Sequence, residues 1–179
     1  MKRPTSIRII SLTAYQEFPS QQIRLLRIWD SRSRTPIKLG KLRNAFNLIL
    51  SAAVLSLFPN VKPAYGYLDG EKFFYDFEKQ NPFTQDDLKK IENRMIEIIK
   101  KSSSINELKS KNIFENNLYK KDLLKDVKKT RGYEINGHKD LLINEISKQV
   151  PKNNPFKLLT VAGVYWKGSS ANRQLQRIY

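Results

Sequence analysis

The sequence predicts an α+β fold, an antiparallel sheet with helices packed on one face, and three features predict it. Asn44–Phe58 (NAFNLILSAAVLSLF) is an uncharged, apolar-rich run with helical propensity, ended by Pro59. Asp69-Gly70 and Asn136-Gly137 each stand between β-prone runs and signal tight hairpins. Between them lies an amphipathic segment with a helix-start signature.

Each element follows from its residues. Ile7–Leu12 and Ile23–Trp29 look like short strands with Arg among apolar residues. Asn44–Phe58 is too short to cross a bilayer, which needs about 20 apolar residues, and reads as a buried core helix. Ala64–Phe77 is aromatic-rich and turns at Asp69-Gly70. After Pro82-Phe83, Thr84 can cap a helix with Asp87 three residues on, close to a capping box. Leu88, Ile91, Met95 and Ile98 keep the spacing of one buried face, and Lys100–Ser104 closes the helix. In Ile105–Lys129, the residues Ile113, Leu118, Leu123, Leu124 and Val127 are placed to face a core. Arg131–Ile135 and Lys139–Ile146 read as strands around Asn136-Gly137. Phe156–Trp166 is the most apolar late strand, and Ala171–Tyr179, rich in Arg and Gln, reads as a short helix.

Charge decides the class of partner. The 179 residues hold 33 Lys+Arg against 17 Asp+Glu, a net charge of +16. Such an excess calls for a polyanion, with nucleic acid ahead of an anionic membrane surface. The chain has no Cys and one His, which removes disulfides, thiolate zinc sites, cysteine nucleophiles and any site needing two histidines. No cofactor and no metal are expected.

Residues 1–43 contain ten Lys and Arg opposed only by Glu17 and Asp30. Arg-rich, Ser-rich and acid-poor is the composition of an organelle transit peptide and equally of a basic arm lying on RNA, and both can hold. The candidate RNA-binding residues are Arg24, Arg27, Arg32, Arg34, Lys38, Lys41 and Arg43, then Lys121, Lys125, Lys128, Lys129 and Arg131, and finally Arg173 and Arg177. On one helix, Lys121, Lys125 and Lys128 share a face. Few aromatics accompany these clusters, so contacts to phosphate are expected to outweigh base stacking.

Other chemistry is thin. Lys167-Gly168-Ser169-Ser170 lacks the upstream glycine of a phosphate loop and reads as a turn. His138 sits in a predicted turn and reads as solvated. Asp69, Glu71, Asp76 and Glu78 read as strand-end solvation, because alternation puts Glu71 opposite Asp76 and Glu78.

Longer strings carry a resemblance. Phe73-Phe74-Tyr75-Asp76-Phe77 followed by Pro82-Phe83-Thr84-Gln85-Asp86-Asp87-Leu88 resembles the central motif of the threonyl-tRNA synthetase editing domain. Ile113-Phe114-Glu115-Asn116-Asn117-Leu118-Tyr119-Lys120 is similar to a later helical motif of that domain. Phe156-Lys157-Leu158-Leu159, then Val161 through Gly168, then Leu175-Gln176-Arg177-Ile178-Tyr179 is the most specific stretch. The resemblance runs from about Ile23 to Tyr179. It divides the chain into a basic N-terminal arm, residues 1–22, and a degenerate editing-like domain, residues 23–179.

That family's editing site uses a His-x-x-x-His pair and a Cys-x-x-x-His pair. Counting from the motifs, the resemblance puts Asn44 and Leu48 at the first pair and Leu142 and Ile146 at the second. Activating a water for ester hydrolysis needs a positioned polar group. Leu48, Leu142 and Ile146 supply none and would fill the pocket with hydrocarbon. A basic, chemically dead relative of this domain exists in the large subunit of the mitochondrial ribosome. The resemblance therefore implies a structural, non-enzymatic RNA-binding protein of that subunit, in the mitochondrial matrix. Ribosomal RNA and neighbouring ribosomal proteins would be its partners. The alternative is a truncated synthetase fragment, mitochondrial or cytoplasmic, acting as a tRNA-binding or trans-editing module.

Overall fold

The computed structural model describes residues 39–69, 72–102, 104–127, 130–153 and 156–179. The expected strands at Ile7–Leu12 and Ile23–Trp29, and the boundary between arm and domain, lie outside them.

The fold is α+β with antiparallel pairing throughout, in two sheets rather than one. Helix α1 (Leu39–Leu57) comes first, then strands β1 (Lys62–Asp69) and β2 (Lys72–Glu78), helix α2 (Gln85–Lys101) and strand β3 (Asn106–Leu108). Helix α3 (Leu118–Asp126), β4 (Arg131–Ile135), β5 (His138–Leu142), β6 (Val161–Tyr165) and β7 (Gln174–Ile178) complete the order. The larger sheet runs β1-β2-β7-β6 and the smaller β3-β4-β5.

Helix α1 organises both sheets. From Asn44 to Val54 every residue is buried, as suits a helix apolar on all sides. It packs on β1 and β2 of one sheet, on β4 and β5 of the other, and on α2. Its approach to β1 requires Gly66, where an added Cβ would lie 2.6 Å from a Tyr75 ring carbon and 2.7 Å from Asn47 Cβ.

The β1–β2 register closes at Asp69↔Lys72 and the β4–β5 register at Ile135↔His138, so both expected hairpins form. Asn136 and Gly137 carry φ of 50° and 83°, the left-handed pair that a two-residue turn of this kind demands. Helix α2 begins with a full capping box. Thr84 Oγ1 accepts from Asp87 N at 3.1 Å, and Asp87 Oδ2 accepts from Thr84 N at 2.9 Å. Leu88, Ile91, Met95 and Ile98 are buried as the spacing implies.

Four expectations need correction. Residues 171–179 do not form a helix; β7 lies between β2 and β6 as an inner strand. Its polar side chains are claimed by distant partners, since Gln176 accepts from Phe83 N and donates to the carbonyl oxygens of Lys79 and Asn81. Such cross-strand satisfaction outweighs local propensity. In the α3 region the inward residues are Phe114, Tyr119, Lys120 and Leu123, whereas Ile113 and Leu118 are exposed. Asn117 fixes that phase by capping α3 through Tyr119 N and Lys120 N. The late apolar run is extended as a paired strand only over Val161–Tyr165, and the second hairpin strand ends at Leu142.

Candidate functional site

The four positions singled out in the sequence lie on α1, at the end of β5 and in the segment after β5. Asn44 and Leu48 lie one turn apart on α1, Leu142 ends β5, and Ile146 follows in the segment laid across the start of α1. That segment is laced down by backbone. Asn44 Nδ2 donates to the Glu145 carbonyl at 3.2 Å, and Ser147 N donates to the Lys41 carbonyl at 2.8 Å. Lys41 also pairs with the Glu145 carboxylate. Leu48, Leu142 and Ile146 are buried in one apolar cluster. Asn44 is buried too, and its amide carries neither an ionisable proton nor a basic nitrogen.

A second group, which the sequence did not single out, lies deeper. Lys120 of α3 reaches Asp140 of β5 with Nζ 2.5 Å from Oδ1. Tyr75 of β2 donates its hydroxyl to Asp140 Oδ2 at 2.6 Å, and Lys120 Nζ donates to the Tyr75 oxygen at 2.7 Å and to the Leu141 carbonyl at 3.2 Å. Burial alone would push the Asp140 carboxyl up, but the ammonium of Lys120 beside it holds it below the ordinary range. Burial and the Asp140 charge keep the Tyr75 phenol protonated, well above its ordinary value. These three groups satisfy one another inside the protein. Nothing in a Lys within a Lys-rich helix announces burial, so local sequence held no signal for this cluster.

Two further polar residues depart from expectation. His138 is half-buried rather than solvated, with Nε2 3.1 Å from Ser51 Oγ, because β5 packs against α1. Asp76 is buried rather than solvated at a strand end, since β2 is an inner strand and Arg177 stands opposite.

The candidate RNA-binding residues divide by what they touch. Arg24, Arg27, Arg32, Arg34, Lys38, Lys128 and Lys129 lie outside the described residues. Arg131 bridges Glu107 and Glu145 at 2.9 Å each, and Arg173 pairs with Glu78 at 2.9 Å. Arg177 chelates Asp76 with its side chain only 17% exposed, its guanidinium lying 4.5 Å from the Phe74 ring centre and 4.9 Å from that of Tyr67. Arg43 is half-buried in the first turns of α1. Lys121 and Lys125 stand exposed on α3 and form no ion pair among the described residues. Lys120, adjacent in sequence to this basic cluster, is turned inward. Among the described residues no helix is long and apolar enough to cross a membrane.

No protein-family model matches the chain. Individual proteins do. The threonine–tRNA ligase of Borrelia garinii subsp. bavariensis is 39% identical over 153 residues, 79% of this chain and 26% of that protein. The threonine–tRNA ligase of Mycoplasmopsis pulmonis is 37% identical over 152 residues, 78% of this chain and 26% of that protein. That of Burkholderia ambifaria is 34% identical over 151 residues, 79% of this chain and 24% of that protein. The chain thus spans about a quarter of the length of the curated relatives it matches. The α+β fold and this similarity together make it a homologue of one segment of the threonine–tRNA ligases, with a fold like that of their editing domain.

Proposed function

We propose that the protein is a catalytically inactive descendant of a synthetase editing domain that serves as an RNA-binding structural component of the mitochondrial large ribosomal subunit. The observation that carries this reading is that Asn44, Leu48, Leu142 and Ile146 are all buried, the last three within the main apolar core, with no acid, base or nucleophile among them. Leu48, Leu142 and Ile146 there pack as ordinary core. A hydrolase acting at these positions would lack the group that activates its water.

The RNA partner is supported by the net charge of +16 and by the exposed lysines of α3. The Arg- and Ser-rich composition of residues 1–43 supports the organelle. Residence in the matrix, ribosomal RNA and ribosomal neighbours follow as parts of the same proposal.

The test is sucrose-gradient fractionation of organelle lysate, probed for this chain, with a deacylation assay on Ser-tRNA for threonine in parallel. Co-sedimentation with large subunits and hydrolysis no faster than buffer are expected. Migration with tRNA instead would replace this reading by that of a tRNA-binding module. Hydrolysis that Asn44→Ala abolishes would overturn the inactive assignment.

A further inference from the structure

A hollow of about 380 Å³ opens between the C-terminal half of α1, the last turns of α2 and the β4–β5 turn. Its lining residue Ala52 stands about two helical turns along α1 from Asn44 and one turn beyond Leu48. Its floor is apolar, formed by Ala52, Ile98 and Ile135. The His138 imidazole lines it as well, held by its Nε2 against Ser51. Asn136 stands at the turn with Nδ2 donated to the Ile98 carbonyl at 3.1 Å, which leaves Oδ1 as an acceptor.

Two cations, Arg94 and Lys101, and one carboxylate, Glu97, border this floor. Arg94 is oriented by Ser56 Oγ at 3.0 Å and by Glu97 at 2.8 Å. Lys101 makes no ion pair among the described residues. A simple anion would find the cations but leave the apolar floor unused. An apolar ligand would use the floor and leave Lys101 and the Asn136 acceptor without partners. A nucleotide uses all three, because it joins a flat base with exocyclic amines to a phosphate.

We propose that this hollow receives a single nucleotide, with its base on Ile98 and His138 and its phosphate at Lys101 and Arg94. An unpaired nucleotide of RNA is its source, and in that respect the inference rests on the RNA-binding reading above. A free nucleotide presents the same chemistry, and the test separates the two.

His138 is the chain's one histidine, so its imidazole NMR resonances need no assignment. Four probes are titrated: AMP, inorganic phosphate, a short single-stranded oligoadenylate and a blunt RNA duplex. AMP and oligoadenylate should shift the His138 resonances saturably, while phosphate and duplex leave them in place. Lys101→Gln should weaken AMP about tenfold, the scale of one lost charge-assisted contact, without lowering the unfolding midpoint. A silent His138 with AMP and oligoadenylate, an equal shift from phosphate, or unchanged affinity in Lys101→Gln would each overturn the proposal. RNA binding by gel shift is followed alongside. RNA bound with His138 silent overturns the hollow and spares the RNA reading. AMP bound without any RNA binding keeps the nucleotide site and overturns RNA as its source.

Discussion

Arg177 and Asp76 face each other across β7 and β2 and make a two-point ion pair, Nε to Oδ1 at 2.6 Å and an NH to Oδ2 at 2.8 Å. Burial pushes the Asp76 carboxyl above its ordinary value, and Arg177 works against that rise. Removing the guanidinium leaves a buried carboxylate without its partner. Arg177→Gln should therefore cost about 3 kcal/mol of folding stability, and Asp76→Asn combined with it should recover part of the loss. Urea unfolding of the parent and the two variants checks this. An Arg177→Gln protein as stable as the parent would return Arg177 to the surface cations available to RNA.

Leu48 tests whether the four singled-out positions are core or pocket. It is fully buried in the same apolar core as Leu142 and Ile146. Leu48→Ala should destabilise the fold by about 2–5 kcal/mol, the range for buried leucine truncation. A loss below about 1 kcal/mol would mean that the side chain lines an open cavity.

Acid sensitivity should trace in part to His138. Burial, the largest influence, holds its imidazole below the ordinary 6.5; nearby Lys120 adds to this and Asp140 opposes it. The unfolded chain therefore takes up a proton that the folded chain refuses. Its contribution to stability is complete above about pH 6.5 and falls as the pH drops below that value. Urea unfolding at pH 7.5 and 5.5 should show a drop for the parent that His138→Gln reduces. An equal drop in both proteins would assign the acid sensitivity to other groups.

RNA affinity should depend on the lysines that lack carboxylate partners. Replacing Lys121 and Lys125 together by Gln should flatten the plot of log affinity against log salt by about two units, one per phosphate contact, with stability unchanged. Arg131→Gln should instead show itself mainly as lost folding stability, since Arg131 holds Glu107 and Glu145. Binding measured between about 50 and 200 mM salt separates the two classes. An unchanged slope in the double lysine variant would place the RNA on another face.

Elements whose cause is local were legible in the sequence. The apolar helix before Pro59, the capping box at Thr84 and Asp87, and the turns at Asp69-Gly70 and Asn136-Gly137 all depend on residues within a few positions of one another. Tertiary structure alone decided the rest. Residues 174–178 became an inner strand because Asp76, Phe83 and Lys79, about a hundred positions away, satisfy their polar groups. Lys120 turned inward to Asp140 and Tyr75, and Arg131, Arg173 and Arg177 turned to carboxylates, although composition grouped these three arginines with the free cations. A charged side chain reads the same in sequence whether it meets water, a phosphate or a buried carboxylate. Only the distance to its partner, set when the chain folds, tells these apart.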